Sequence, residues 1–274
     1  MNNTLETLFN NKKPIIGMVH SLPLPGTPRY TKMNIEDIYD YGLQEAYKLK
    51  KADVDAILIE NAGDIPFIKS EYIGPETSAI IAVLGDRIRK EIDLPIGINI
   101  VANAAKHSLA SAVACKASFV RVNQWANAYI ANEGFVEGAS GIALRYRSAL
   151  RAEEIKIFAD VHVKHGAHAI VADRSVSDQA IDVEFFDADI LIGTGLRTGN
   201  PTSPREILEI KKGSELPVLV GSGINEQNLN DLLTIADGAI IGVSIKEPQK
   251  MSGVTNAIKI QKFMDAVKKL RESL

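Results

Sequence analysis

Pro217-Val-Leu-Val-Gly-Ser-Gly-Ile-Asn225 and Asp237-Gly-Ala-Ile-Ile-Gly-Val-Ser-Ile-Lys246 are two short apolar runs, each running into glycine, with a segment between them that can form a helix. A buried parallel strand reads as an unbroken Val/Ile/Leu run, and glycine at its carboxyl end lets backbone amides approach an anion. In a (β/α)8 barrel the loops after the last two strands commonly bind phosphate. On that reading, 217–246 holds strands seven and eight, and six βα units must precede it.

Working back through the chain supplies them. Ile15 to His20 is an apolar run after Pro14, with Ile16, Met18 and His20 on one face by the period-two rule, and the proline-rich loop Ser21 to Pro28 stands rigidly above it. Ile35, Ile38, Gly42, Ala46 and Leu49 recur at helical spacing after Asn34, a candidate N-cap, which predicts a helix over 35–52. The second strand is Ala56 to Asn61, and Ile81, Leu84, Ile88 and Ile92 mark the next helix. Pro95 to Val101 is strand three, 103–116 an alanine-rich helix containing the single cysteine, Cys115, and Ser118 to Asn123 strand four.

From Gln124 to Ser140 the pattern lapses into an unusually long connection around Trp125, which reads as a lid or partner arm. A helix over 141–154 leads to strand five, Lys156 to His165, where period two puts Asp160, His162 and Lys164 on one face. Asp189 to Gly193 is strand six, 204–212 carries a helix, and the last helix begins at about Thr255. The expected architecture is a single α/β domain over 1–274, a (β/α)8 barrel of TIM type.

Composition bounds the function. A length of 274 residues suits one barrel, and 46% apolar with 24% charged residues is ordinary globular usage. A net charge of -3 argues against a nucleic-acid surface. No apolar run approaches the ~20 residues of a membrane helix, and Met1 to Lys13 has no apolar signal core, so a cytoplasmic protein not embedded in a membrane is expected. One cysteine supports no internal disulfide and no thiolate cluster.

Barrel active sites sit at the carboxyl ends of the strands, and here those ends repeatedly carry polar groups: His20, Glu60, Asn99, Arg121, Asn123, Asp160, His162, Lys164 and Thr194. Three ionisable side chains on one face of a buried strand are costly unless paired or functional, so Asp160, His162 and Lys164, with Glu60, are the catalytic candidates. The alternative is a structural ion-pair network. Lys164 held charged beside a carboxylate suits anion binding, whereas an uncharged Lys164 would be a nucleophile or base. Glu60 and Asp160 could pair as acid and base on a glycosidic bond if their separation allows. His162, His165 and His168 lie three apart, a poor match to ligands on a strand face, so neither a metal nor another cofactor is expected. Gly221, Ser222, Gly223, Gly242, Val243 and Ser244 provide amides and hydroxyls for phosphate, with Lys246 a possible charge; His20, Asn99, Arg121, Asn123 and Thr194 complete the expected substrate contacts.

Taken together, Gly17 to Pro28, Glu60-Asn-Ala62, Arg121-Val-Asn123, Asp160 to His165 and Thr194 to Pro201 resemble the BtpA/SgcQ family over nearly the whole chain. The resemblance implies a phosphate-binding TIM barrel of ribulose-phosphate-binding type and a family name tied to photosystem I biogenesis, but no reaction and no catalytic assignment. The order His20-Ser-Leu-Pro-Leu-Pro-Gly26 is a small departure from the family's usual Leu-x-Pro-Leu-Pro-Gly after the histidine. Two functions follow. One is an enzyme, a lyase, isomerase or glycosyl-bond hydrolase, acting on a small phosphorylated sugar or nucleoside. The other is a noncatalytic assembly or stability factor for a membrane complex. Barrels of this kind often self-associate, so a homo-oligomer is an open expectation.

Overall fold

The computed structural model describes residues 4–274. Of the leading segment read above, Met1 to Asn3 lie outside the described residues. In chain order the elements are α1 (Thr4–Leu8), β1 (Ile15–His20), α2 (Ile35–Lys51), β2 (Ala56–Glu60), α3 (Pro75–Glu91), β3 (Ile96–Asn99), α4 (Ala105–Cys115) and β4 (Phe119–Val122). Next come β5 (Ala128–Ala131), β6 (Gly134–Glu137), α5 (Ser140–Ala149), β7 (Lys156–Val161), α6 (Val176–Phe185) and β8 (Ile190–Gly193). The chain closes with α7 (Pro204–Gly213), β9 (Val218–Val220), α8 (Leu229–Ile235), β10 (Gly238–Ile241), β11 (Lys246–Glu247), β12 (Val254–Thr255) and α9 (Ala257–Glu272). Three 3-10 turns, the last at Val243–Ile245, punctuate the loops.

The strands close in the order β1-β10-β9-β8-β7-β4-β3-β2, all adjacent pairs parallel, so the chain is a TIM barrel and all eight expected strands are present. Alternation along each strand creates two cores. Ile57, Ile59, Val120, Leu191 and Val220 face outward and pack with the helices. Ile16, Met18, Leu58, Phe119, Phe158, Ile192 and Leu219 fill the barrel, with Leu5 and Phe9 joining them from the amino-terminal segment. Phe119 and Phe158 stack with ring centroids 4.3 Å apart. Gly97 opposite them has no room for a side chain, since a Cβ there would lie 2.1 Å from the Phe119 ring. Because alternate residues share a face, the next inward layer above Phe119 and Phe158 is Arg121 and Asp160. The aromatic layer therefore lies beneath the floor of the mouth, which Arg121 and Asp160 form.

Local signals set the helices. Asn34 caps α2 through a reciprocal capping box with Asp37, and Asn256 accepts from Ile258 and Lys259 at the start of α9. Several boundaries differ from expectation. The helix expected over 141–154 ends at Ala149, and the fifth barrel strand ends at Val161 instead of His165. Helix α6 was not legible from periodicity, because its Ile181 and Phe185 are exposed; the Ser175–Asp178 capping box was the signal for it.

The long connection over 124–140 is a β-hairpin, β5 paired antiparallel with β6. Trp125 itself offers no contact surface: it is fully buried and donates its indole N–H to the carbonyl of Phe186 at 2.8 Å. No helix among the described residues is long and apolar enough to cross a membrane.

Candidate functional site

The strand ends and their loops enclose a cavity of about 430 Å³, within the usual range for small-molecule sites. His20 and Glu60 are register partners at the ends of β1 and β2, and Glu60 is in turn the partner of Asn99 on β3. Asn99 donates to Glu60 Oε2 at 2.6 Å, while Glu60 Oε1 lies 3.9 Å from His20 Nε2. The other His20 nitrogen, Nδ1, is 3.3 Å from the Met251 carbonyl, which can only accept, so Nδ1 carries the hydrogen. Burial, reinforced by the charge of Lys246, pushes the His20 imidazole down to about 3. A neutral His20 leaves its Nε2 lone pair facing a carboxylate, a place for a ligand hydrogen-bond donor.

Arg121 and Asp160 form a bidentate pair across β4 and β7, Nε to Oδ1 at 2.9 Å and Nη2 to Oδ2 at 3.0 Å, and Asn123 adds a bond to Oδ2 at 3.2 Å. Both side chains are buried. Burial opposes the guanidinium charge, but Asp160 and Glu60 outweigh it and raise the Arg121 pKa. Asp160 thus spends its charge on Arg121, a structural use of the pair rather than a free base.

Lys164 lines the same cavity, and its backbone N–H donates to Thr194 Oγ1 at 2.8 Å. Its ammonium makes no hydrogen bond or ion pair with another described residue. Although half-buried by exposure, it is enclosed by the mouth: burial first, then the Arg121 charge, pushes its pKa down to about 8 against the opposite pull of Asp160 and Glu60.

The expected alternation fails at His162. The strand has ended, His162 takes a left-handed φ of 53°, and its ring turns from the mouth to meet Gln179 of α6 at 3.3 Å and stack on His168 at 3.8 Å. His168 is occupied by the Val163 carbonyl at 2.8 Å, and His165 meets the Thr198 hydroxyl at 2.8 Å. Among the described residues no group of three His, Cys, Asp or Glu could hold a metal ion.

Backbone lines the opposite side. Gly221, Ser222 and Gly223 follow β9, and Gly242, Val243 and Ser244 follow β10; all six line the cavity. The N–H groups of Gly223, Val243 and Ser244 have no acceptor among the described residues. Gly223 has φ +69° and sits where a Cβ would lie 2.1 Å from the Asn200 carbonyl oxygen, so only glycine fits this approach. Ser222 Oγ accepts from the Gly199 N–H at 3.3 Å, tying the cup to the loop after β8. The third glycine loop is different: Glu206 of α7 accepts from the N–H groups of Thr194 and Gly195 at 3.2 and 3.1 Å, and Thr194 is fully buried. Thr194 therefore positions Lys164 and does not border the cavity.

Lys246 does not reach the cup. It is fully buried, 3.3 Å from the Met251 carbonyl and 4.0 Å from Glu45, because the chain turns at Val243–Ile245 before it. Burial pushes its pKa down to about 8. Sequence reasoning missed the cavity walls supplied by Ile65, Pro66 and Phe67 after β2 and by Tyr129, Asn132 and Glu133 of the hairpin. The Asn132-Glu-Gly134 turn between two short apolar runs was the available hairpin signal.

The chain belongs to the BtpA family, whose model matches residues 11–269. An uncharacterized protein of Pyrococcus abyssi is 39% identical over 259 residues, 94% of this chain and 97% of that protein. The photosystem I biogenesis protein BtpA of Synechocystis is 32% identical over 260 residues, 94% of this chain and 89% of that protein. Among solved structures, phosphoribosyl anthranilate isomerase from Thermus thermophilus matches with TM-score 0.57 and 12% identity, covering 94% of this chain and 99% of that one. Orotidine 5'-monophosphate decarboxylase from Methanocaldococcus jannaschii, complexed with the inhibitor BMP, matches with TM-score 0.57 and 16% identity, covering 93% and 97%. Identities this low speak to fold alone.

Proposed function

We propose that this BtpA-family barrel is an enzyme acting on a small phosphorylated sugar or nucleoside bound over the strand ends. The observation that carries the reading is a division within one cavity: the unpartnered N–H groups of Gly223, Val243 and Ser244 on one side, and the unpaired Lys164 with Glu60 on the other. Half-buried amides that line one cavity without a protein acceptor favour an anion, and clustered backbone amides can hold a phosphate without a cation. Ser222 stiffens that cup through Gly199. Apolar walls from Ile65, Phe67 and Val163 suit the carbon skeleton of the ligand.

The residues then divide by role. Glu60, oriented by Asn99, is the general base or acid, and neutral His20 accepts a hydrogen bond from a substrate hydroxyl beside it. Lys164 meets the reacting carbon or its oxygen. Arg121, Asp160 and Asn123 form the rigid floor, with Arg121 the substrate contact. The names of two fold neighbours refer to phosphorylated nucleoside-like compounds, which supports the substrate class by analogy only. Lyase, isomerase and glycosyl-bond hydrolase chemistry all fit this arrangement.

Thermal unfolding with inorganic phosphate, ribose 5-phosphate and ribose tests the reading. Phosphate and ribose 5-phosphate raise the midpoint by mass action, ribose does not, and Gly223→Ala removes the effect. Absence of any phosphate effect in the wild-type protein would sink it.

A second reading, a noncatalytic assembly factor, is favoured by the name of the Synechocystis relative. Its contact surface would lie elsewhere than Trp125. A stable partner recovered with the full chain, and retained by Lys164→Ala and Glu60→Gln, would favour it.

A further inference from the structure

We infer that Lys164 is an amine nucleophile that joins the carbonyl carbon of a phosphorylated aldehyde or ketone as an imine. The inference rests on the phosphate reading of the cup and names the carbonyl class of its substrate. A lysine in a barrel mouth is more simply an anion-binding cation, and a neighbouring carboxylate would keep it one. Here that carboxylate is committed: both Asp160 oxygens are taken by Arg121, with Asn123 on one of them. Lys164 is left without a hydrogen-bond or ion-pair partner among the described residues, while its backbone N–H is pinned to Thr194. The charged groups that act on it are Arg121 and Asp160 on the floor and Glu60 at the end of β2. Enclosure and Arg121 outweigh the two carboxylates, which lowers its pKa to about 8 from the ordinary 10.5. At pH 7 that places roughly three-hundredfold more of it in the neutral form than of an ordinary lysine.

The step balances without an oxidant or reductant. The Lys164 nitrogen bonds to the carbonyl carbon as the C=O π pair moves to oxygen. The nitrogen loses one proton, the oxygen gains it to give a carbinolamine, and a second proton converts that oxygen to departing water. Amine, carbonyl and one proton become a protonated imine and water. Glu60, in the same cavity and held by Asn99, carries the proton between nitrogen and oxygen.

Pyridoxal 5'-phosphate is a suitable probe, because it offers an aldehyde and a phosphate and reacts with amines whatever the natural substrate. The full chain is mixed with it, reduced with borohydride, and the labelled peptides are followed by mass spectrometry. Greater neutral fraction, partly offset by lower basicity, predicts labelling of Lys164 about tenfold or more faster than of the exposed Lys12 and Lys32. Excess inorganic phosphate slows it, and Lys164→Arg abolishes it while phosphate still raises that variant's unfolding midpoint. Labelling of Lys164 no faster than of Lys12 and Lys32, in a protein that phosphate stabilises, overturns the nucleophile and leaves the phosphate reading intact. Fast labelling that phosphate does not slow overturns the phosphorylated class and the reading of the cup with it.

Discussion

The ends of barrel strands β1, β2, β3, β4 and β7 present side chains to the mouth, whereas those of β9 and β10 present backbone. On the first side, His20, Glu60, Asn99, Arg121, Asp160 and Lys164 crowd together, and their charges are settled mostly among themselves. On the second, glycine replaces side chains and the polar groups are N–H dipoles without acceptors. The first side depends on pairing and titration, the second on shape. Substitutions should therefore fail differently on the two sides, and the sizes of the failures test the distinction.

The largest effect belongs to the floor. Arg121→Ala leaves Asp160 buried without its bidentate partner, and losing one member of a buried pair costs about 3–5 kcal/mol. Urea unfolding should show it. Arg121→Ala/Asp160→Asn together should cost less than Arg121→Ala alone, since the stranded charge is gone. An additive result would mean that the pair is not what holds this side.

On the backbone side, Gly223→Ala should cost about 1–3 kcal/mol from its positive φ and its collision with Asn200, and should abolish phosphate protection. Gly141→Ala is the control, on a helix where the nearest atom to an added Cβ is 3.4 Å away. If Gly223→Ala binds phosphate as before, shape is not what this side contributes.

A third effect separates the sides by pH. Lys164 is depressed to about 8 in the folded chain against 10.5 when unfolded. Below about 8 both states hold the proton and the cost of enclosing the cation is fully present; between 8 and 10.5 only the unfolded chain holds it, so stability rises with pH through that window. Lys246 is depressed to about 8 as well, so the comparison must be with a variant. Lys164→Met should be more stable than wild type near pH 7, with the advantage fading above about 8, read from denaturant midpoints. No comparable pH term should attach to Gly223→Ala.

How much of this was legible in the sequence follows from the same contrast. The barrel strands were readable because burial on both faces writes continuous apolar runs, and alternation from Ile16 and Met18 correctly aims His20 inward. The glycines of the cup were readable as a pattern, and their directions came with the strand order. Alternation says nothing once a strand stops, which is why His162 was placed on the wrong face: Val161 is the last strand residue and His162 has a left-handed φ. Pairing across strands was also hidden. Arg121 is the register partner of Phe158, yet its guanidinium reaches Asp160, a diagonal contact that depends on barrel stagger. The burial of Trp125 was hidden as well, because nothing local discloses that a residue in a long connection is bonded to the Phe186 carbonyl.

The smallest effect probes the seam between the two sides. Thr194 directly follows β8, the strand between them, but Glu206 already takes its backbone N–H and that of Gly195, leaving its hydroxyl to accept from Lys164. Thr194→Val keeps the volume and removes that acceptor, so global stability should fall by only about 0.5–1.5 kcal/mol. The local effect should be plainer. The Lys164 amide loses its protection against hydrogen exchange, and pyridoxal 5'-phosphate labelling of Lys164 slows because the amine is held less firmly in the mouth. Phosphate protection stays as in wild type, since no cup amide depends on Thr194. If phosphate protection falls together with the labelling rate, the two sides are one cooperative unit, and the distinction between a side of paired charges and a side of fixed amides would have to be given up.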